Sequence, residues 1–144
     1  MSLRLLLSHH PIEQEHRCVR IFSRPICARC LGLYPSMFGG MVLLFWLDLY
    51  RAVNLEARPF EGPVLILAVT PALLDWARGR LRPLSGSNSI RLVTGALLGL
   101  ALARTIFLHA RDPFEPPSVE VLLFLIAGTV AGLVVSRAYR DPGE

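Results

Sequence analysis

Apolar residues along the chain gather into long runs separated by short polar or proline-containing segments. Three of these runs hold about twenty mostly aliphatic residues each, at 31–50, 90–110 and 119–139. Crossing the ~30 Å hydrocarbon core of a bilayer takes about 20 residues of α-helix, because each residue advances ~1.5 Å. The pattern therefore predicts an all-α fold, a polytopic bundle of transmembrane helices.

A fourth run, at 62–76, is shorter and contains Pro71 and Asp75. Its length alone would also suit a re-entrant or interfacial helix. If it crosses, eleven Arg residues lie on one side of the membrane and three on the other, with Arg104 inside a span. Cytosolic segments carry the excess of Arg. We therefore expect four spans, with both termini in the cytosol.

Composition agrees with a membrane protein, since 53% of the 144 residues are hydrophobic and only 18% are charged. All fifteen basic residues are Arg, and the formal net charge is +4. These Arg residues cluster beside the apolar runs and form no basic face interleaved with aromatic residues, as a nucleic-acid-binding protein would. The expected partner is the lipid bilayer and its phosphates, with no nucleic acid.

Thiols and imidazoles are concentrated before the first long run. The candidate metal ligands are His9, His10, Cys18, Cys27 and Cys30. A Cys-x-x-Cys pair can place two thiolates around one tetrahedral metal, and a third Cys with one His completes a shell that suits Zn²⁺, with Fe as the other option. We expect residues 1–30 to form a cytosolic metal-binding segment packed under a transmembrane domain of residues 31–140.

Histidine choice and the use of the thiols both leave alternatives. His10 or His9 is preferred over His16, because His16 is only two residues from Cys18 and would point elsewhere. The site could be a structural zinc site, a catalytic or redox metal centre, a dithiol redox pair, or reduced cysteines packed under the bundle.

A second polar cluster lies between the second and third runs. Its candidate site residues are Asp75, Asn88, Arg91 and Thr94. Asn88 or Ser89 is expected to cap the third span, where the unpaired amides of a helix N-terminus could receive a phosphate headgroup or a polar substrate beside the metal. A helix cap with cytosolic Arg anchors is the simpler interpretation.

Charged residues at the edges of spans should have partners, because an isolated charge in lipid is costly. Asp75 is expected to pair with Arg91 or Arg78. Counting residues from the cytosolic ends places Arg104 and Asp48 at similar depths, so we expect a salt bridge between them, with Glu120 as the alternative partner of Arg104.

Small residues recur four apart in the last two long runs. Gly95, Gly99 and Ala103 share one helix face, and Gly128 and Gly132 share another. Such spacing lets helix backbones approach closely. Packing within one chain is the preferred interpretation, and a homo-oligomer joined through these faces is the alternative.

Two sequence strings resemble a known family. They are PICARCLGLY at residues 25–34 and SNxxRxxTG at residues 87–95, together with the upstream His and Asp75. They resemble the bacterial membrane-protein family catalogued as domain of unknown function 2085, over roughly residues 8–100. The resemblance implies a polytopic inner-membrane protein with a metal site, and no particular activity. The family begins with a Cys-His pair where this chain has Ser8, His9 and His10, so Cys18 would supply the missing thiolate.

Two uses of such a site are open. A metal-dependent enzyme would act on a lipid-like or phosphate-bearing substrate, with Asp75, Asn88 and Arg91 as catalytic residues. A binding or assembly module would use the metal only to fix the N-terminal segment. Closed four-ligand coordination would favour the module, and an open position facing Asp75 would favour the enzyme. Transport is the least favoured use, because four spans are too few for a monomeric carrier. Ion passage would need an oligomer.

Overall fold

The computed structural model describes residues 17–21, 24–50, 59–81, 87–114 and 116–140. Within these ranges, two short strands precede four helices. The elements are β1 (Cys18–Ile21), β2 (Arg24–Cys27), α1 (Ala28–Leu49), α2 (Glu61–Leu81), α3 (Asn88–Arg111) and α4 (Pro116–Arg140). The all-α prediction is confirmed for the body of the chain, and the pair of strands is an additional element that the hydrophobic pattern did not predict.

Three of the four helices are long and apolar enough to cross a membrane, within the part of the chain that the structure describes. They are Ala28–Leu49, Asn88–Arg111 and Pro116–Tyr139, and they match the three long predicted spans. The second helix, α2, has 21 residues, because it passes through Pro71 and continues beyond Asp75 to Leu81. The turns beyond Asp75 carry charged residues, and α2 is not one of the three helices that are apolar enough to cross by composition alone.

β1 and β2 pair in an antiparallel hairpin, in which Cys18 lies opposite Cys27 and Val19 lies opposite Ile26. β-Branched residues such as these favour strands. The second strand continues directly into α1, which begins at Ala28. The hairpin is therefore attached to the start of the first membrane helix.

The third helix, α3, forms the centre of the bundle. It packs against α1 and α2, and α2 also packs against α4. A core cluster joins Leu65 and Val69 of α2 to Ala101 and Leu108 of α3 and Val121 of α4.

Most of the α1 surface remains uncovered by other helices. Only Ala28 and Gly32 of α1 are buried, whereas Phe38, Val42 and Trp46 are exposed. An apolar face of this size is unfavourable in water. Contact with acyl chains accounts for it.

Glycines allow α1 and α3 to approach closely. A Cβ atom on Gly95 would overlap the carbonyl oxygen of Arg29, and one on Gly99 would overlap the hydroxyl of Ser36. Across the same interface, the Ser36 hydroxyl donates to the carbonyl of Ala96 at 3.0 Å. The small residues of α3 thus pack helices of one chain together, as the preferred interpretation expected.

Ion pairs at the end of the bundle where α2 begins correct one prediction. Arg104 pairs with Glu61, and Asp48 pairs with Arg111 at 3.2 Å. The predicted Asp48–Arg104 bridge is wrong, because depth along a helix does not fix the direction in which a side chain points. The alternative partner, Glu120, lies against Gly62 instead.

Candidate functional site

Four elements meet at the other end of the bundle: the hairpin, the start of α1, the end of α2 and the start of α3. A guanidinium nitrogen of Arg17 donates to the carbonyl of Gly79 in α2 at 2.9 Å. The side-chain amide of Asn88, in α3, donates to the carbonyl of Cys18 at 3.3 Å. These two bonds bring the cysteine segment and the second polar cluster to the same end of the molecule.

The three thiols lie around the start of α1. Cys18 and Cys27 are opposite each other in the hairpin, and a side-chain hydrogen bond joins Cys27 to Cys30. The spacing explains this bond, because residues three apart lie on one side of a helical turn. Cys27 is buried, Cys18 and Cys30 are partly exposed, and all three are free of disulfides.

These thiols do not by themselves form a metal-binding group. Within the described ranges, no set of three or more His, Cys, Asp or Glu side chains is arranged to hold an ion. The predicted imidazole ligands, His9 and His10, lie outside those ranges, as does His16. The structure thus brings the thiols to one end without testing the predicted ligand set.

Asp75 pairs with Arg29, which projects from the first turn of α1. The pair is largely withdrawn from solvent, with side-chain exposures of 11% for Asp75 and 24% for Arg29. The predicted partners, Arg91 and Arg78, are both wrong. Arg78 is exposed on α2, and Arg91 is directed to a neighbour on its own helix.

That neighbour is Asn88. The buried side chain of Arg91 donates to the side-chain oxygen Oδ1 of Asn88 at 3.3 Å. The hydroxyl of Thr94 donates to the backbone carbonyl of Arg91 at 3.3 Å. The predicted cap at Asn88 or Ser89 is wrong, since Ser87 caps α3 by accepting the amide hydrogen of Ser89. Asn88 cannot cap, because it is the first helical residue and its amide bonds the hairpin.

Positive charge is in excess at this end. Burial, together with the nearby cations of Arg91 and Arg29, lowers the pKa of Arg17, while Asp75 and Cys27 act in the opposite direction. Arg17 thus lies near two other guanidinium groups, and one of these, Arg29, pairs with Asp75. The sequence predictions did not include Arg17, although its position next to Cys18 was a usable signal.

Comparison with known proteins supports the membrane assignment. A family model described as "Predicted membrane protein (DUF2085)" matches residues 10–105. The matched region includes all three cysteines, Asp75, and the start of α3. No curated protein and no solved structure matches the chain. Because the family model covers about two thirds of the sequence, the chain belongs to the DUF2085 family of predicted membrane proteins.

Proposed function

We propose that this protein is a four-span membrane protein in which a zinc ion, bound by three cysteines and one histidine, fixes the N-terminal hairpin to the cytosolic end of the bundle. The observation that carries the proposal is that the polar side chains near the cysteines already have partners within the protein. Asp75 is engaged by Arg29, and Asn88 bonds the hairpin. These two side chains, which a catalyst would need, are thus occupied in attaching the hairpin and the start of α1 to the other helices.

The donor set and the surrounding charge both suit zinc. Cys27 and Cys30 already contact each other, Cys18 lies across the hairpin from Cys27, and His9 or His10 would be the fourth ligand. Zn²⁺ with three thiolates and a neutral imidazole carries one net negative charge. That charge would offset the excess of arginine beside it.

A fourth span is supported by the contacts of α2. Near the start of α2, Glu61 pairs with Arg104. Near its end, the carbonyl of Gly79 accepts a hydrogen bond from Arg17, the residue just before the hairpin. With 21 residues, α2 is about 31 Å long, which matches the hydrocarbon thickness of a bilayer. A crossing α2 gives the excess of Arg to one side, and we infer that this side, with both termini, is the cytosolic face of the inner membrane.

The arginine cluster favours a second candidate, a metal-dependent enzyme for a lipid-like or phosphate-bearing substrate. A guanidinium group can bind two phosphate oxygens at once. Arg29 and Arg91 both lie near enough to Arg17 to lower its pKa. The metal would then act as a Lewis acid. Asp75 and Asn88 would have to exchange their present partners for substrate, which makes this candidate the weaker one.

Metal content and coordination separate the candidates. We expect protein purified in detergent without chelator to contain about one zinc per chain, with X-ray absorption showing three sulfur ligands and one nitrogen ligand. Cys27→Ser should lose most of the metal, and either His9→Ala or His10→Ala should reduce it. The control is His109→Ala, at the far end of α3, which should leave metal content unchanged.

Other results would change the conclusion. An oxygen ligand in an open fourth position would favour the enzyme. Metal-free protein whose three thiols all react with an alkylating reagent would rule out both forms of the metal proposal.

A further inference from the structure

An apolar groove of about 280 Å³ runs between α2 and α4. Its walls include Leu74, Ala77 and Leu81 of α2, and Gly128, Ala131 and Val135 of α4. Glycine and alanine have small side chains, so the α4 wall of the groove projects little and the groove is open along that side. It lies between helices whose outward faces are apolar, where acyl chains would be the surrounding solvent.

The groove is separate from the cysteine and arginine cluster. Each residue of an α-helix turns about 100°, so Ala77 lies about 200° around α2 from Asp75. Asp75 and Gly79 face α1 and the hairpin, and Ala77 faces α4. A ligand in the groove would therefore occupy the opposite face of α2, and its binding does not depend on a metal.

A cation lies at the rim of the groove. The guanidinium carbon of Arg80 is 5.2 Å from the centre of the Trp76 ring, and that ring packs against Gly132, a wall residue. The Nε atom of Arg80 is buried and has no hydrogen-bond partner among the described residues. The end of the groove near Leu81 thus carries the positive charge of Arg80, beside the Trp76 ring.

We propose that this groove binds one acyl chain of an anionic phospholipid, with the phosphate of the same lipid on Arg80. The apolar walls match an acyl chain, and charge complementarity selects the headgroup, since guanidinium binds phosphate through several donors. Arg80 is in the last turn of α2. A lipid phosphate would lie at this level if α2 spans the membrane.

Tryptophan fluorescence can report occupancy, because the chain has only two Trp residues. Trp46 is exposed on α1, so Trp46→Phe leaves Trp76 as the reporter. Phosphatidylglycerol brominated on its acyl chains is titrated into this variant in detergent, with brominated phosphatidylcholine in parallel. We expect saturable quenching of Trp76, with half-saturation at about fivefold lower concentration for phosphatidylglycerol.

Two pairs of variants in the Trp46→Phe background test the groove and the cation separately. Ala131→Phe fills the groove and should remove most of the quenching, whereas Val130→Phe, on the exposed opposite face of α4, should not. Arg80→Gln should abolish the preference for phosphatidylglycerol. Arg137→Gln removes an exposed charge from α4, half a turn away from the groove wall, and should preserve that preference.

Equal quenching by the two lipids in the parent protein would overturn the headgroup assignment. Quenching that Ala131→Phe does not reduce would overturn the groove itself. If Ala131→Phe fails to fold, as judged by gel filtration and circular dichroism, Arg80→Gln decides the proposal, because loss of the headgroup preference requires a specific site at its rim.

Discussion

Asp75 illustrates how a carboxylate is held near the end of an apolar helix. A charged side chain at this position needs a cation, and three arginines are near it in sequence or in space. Arg29 makes the contact, because it extends from the first turn of α1 toward α2. The pair joins the start of α1 to the end of α2, so it contributes to the position of the cysteine segment.

The Arg29–Asp75 pair should be important for stability. We expect Asp75→Asn to lower the free energy of unfolding by about 3 kcal/mol, because it leaves the guanidinium of Arg29 partly buried without a carboxylate. Asp48→Asn is the matched control. The Asp48–Arg111 pair is more exposed, at 35% and 45%, so its loss should cost below about 1 kcal/mol.

Unfolding in mixed micelles, followed by circular dichroism while the fraction of denaturing detergent is raised, measures both changes. Equal losses for the two variants would contradict a structural role for the Arg29–Asp75 pair.

At this scale, the sequence predicted residue types better than partners. Asp75, Asn88 and Arg91 were predicted to lie near the cysteines, and Asn88 does bond the hairpin. The partner of Asp75 and the cap of α3 were predicted wrongly. Residue spacing gives the depth of a side chain in the membrane, whereas its partner depends on how neighbouring helices are rotated, and a single sequence does not contain that information.

At the scale of elements, the close contact of α1 with α3 depends on glycine residues, which have no side chain to keep the two backbones apart. We expect Gly95→Ala to cost about 2 kcal/mol, because the new methyl group would overlap the carbonyl of Arg29 and force the helices apart. The control is Gly39→Ala. Gly39 has open space around it, so alanine there should be neutral or stabilise α1 by up to about 1 kcal/mol.

The same mixed-micelle titration compares the two glycine variants. If the Gly95→Ala protein were as stable as the Gly39→Ala protein, α1 and α3 could move slightly apart without a loss of stability.

The boundaries of the elements show where hydrophobic pattern is sufficient. The runs 31–50, 90–110 and 119–139 became α1, α3 and α4 with small extensions, since twenty apolar residues have few alternatives to a helix in lipid. The run 62–76 became a longer helix, because Pro71 and the later charges did not end it. The hairpin was missed, as four-residue strands give almost no periodic signal.

At the scale of the whole molecule, the central question is whether α2 crosses the membrane. If it does, and the Arg-rich side is cytosolic, residues 60 and 112 lie on the external side of the membrane. Residue 89 then lies on the cytosolic side. We expect Phe60→Cys and Asp112→Cys to react with a membrane-impermeant maleimide in intact cells. Ser89→Cys should react only after permeabilisation. All three positions are exposed.

Asp112→Cys is a consistency check, because residue 112 lies at the opposite end of α3 from residue 89 and should therefore be labelled under the opposite condition. If Phe60→Cys and Ser89→Cys were labelled under the same conditions, α2 would not cross, and the positive-inside assignment of the arginines would fail.

Docking of the hairpin also constrains how the protein is made. Arg17 and Cys18, at the start of the hairpin segment, bond to residues that lie 62 and 70 positions later in the chain, Gly79 and Asn88. During translation, the cysteines are synthesised before these acceptor and donor groups exist. The hairpin therefore cannot take its final position until synthesis of the third helix has started. Biogenesis of this end of the protein is a late event, although its residues are among the first to be synthesised.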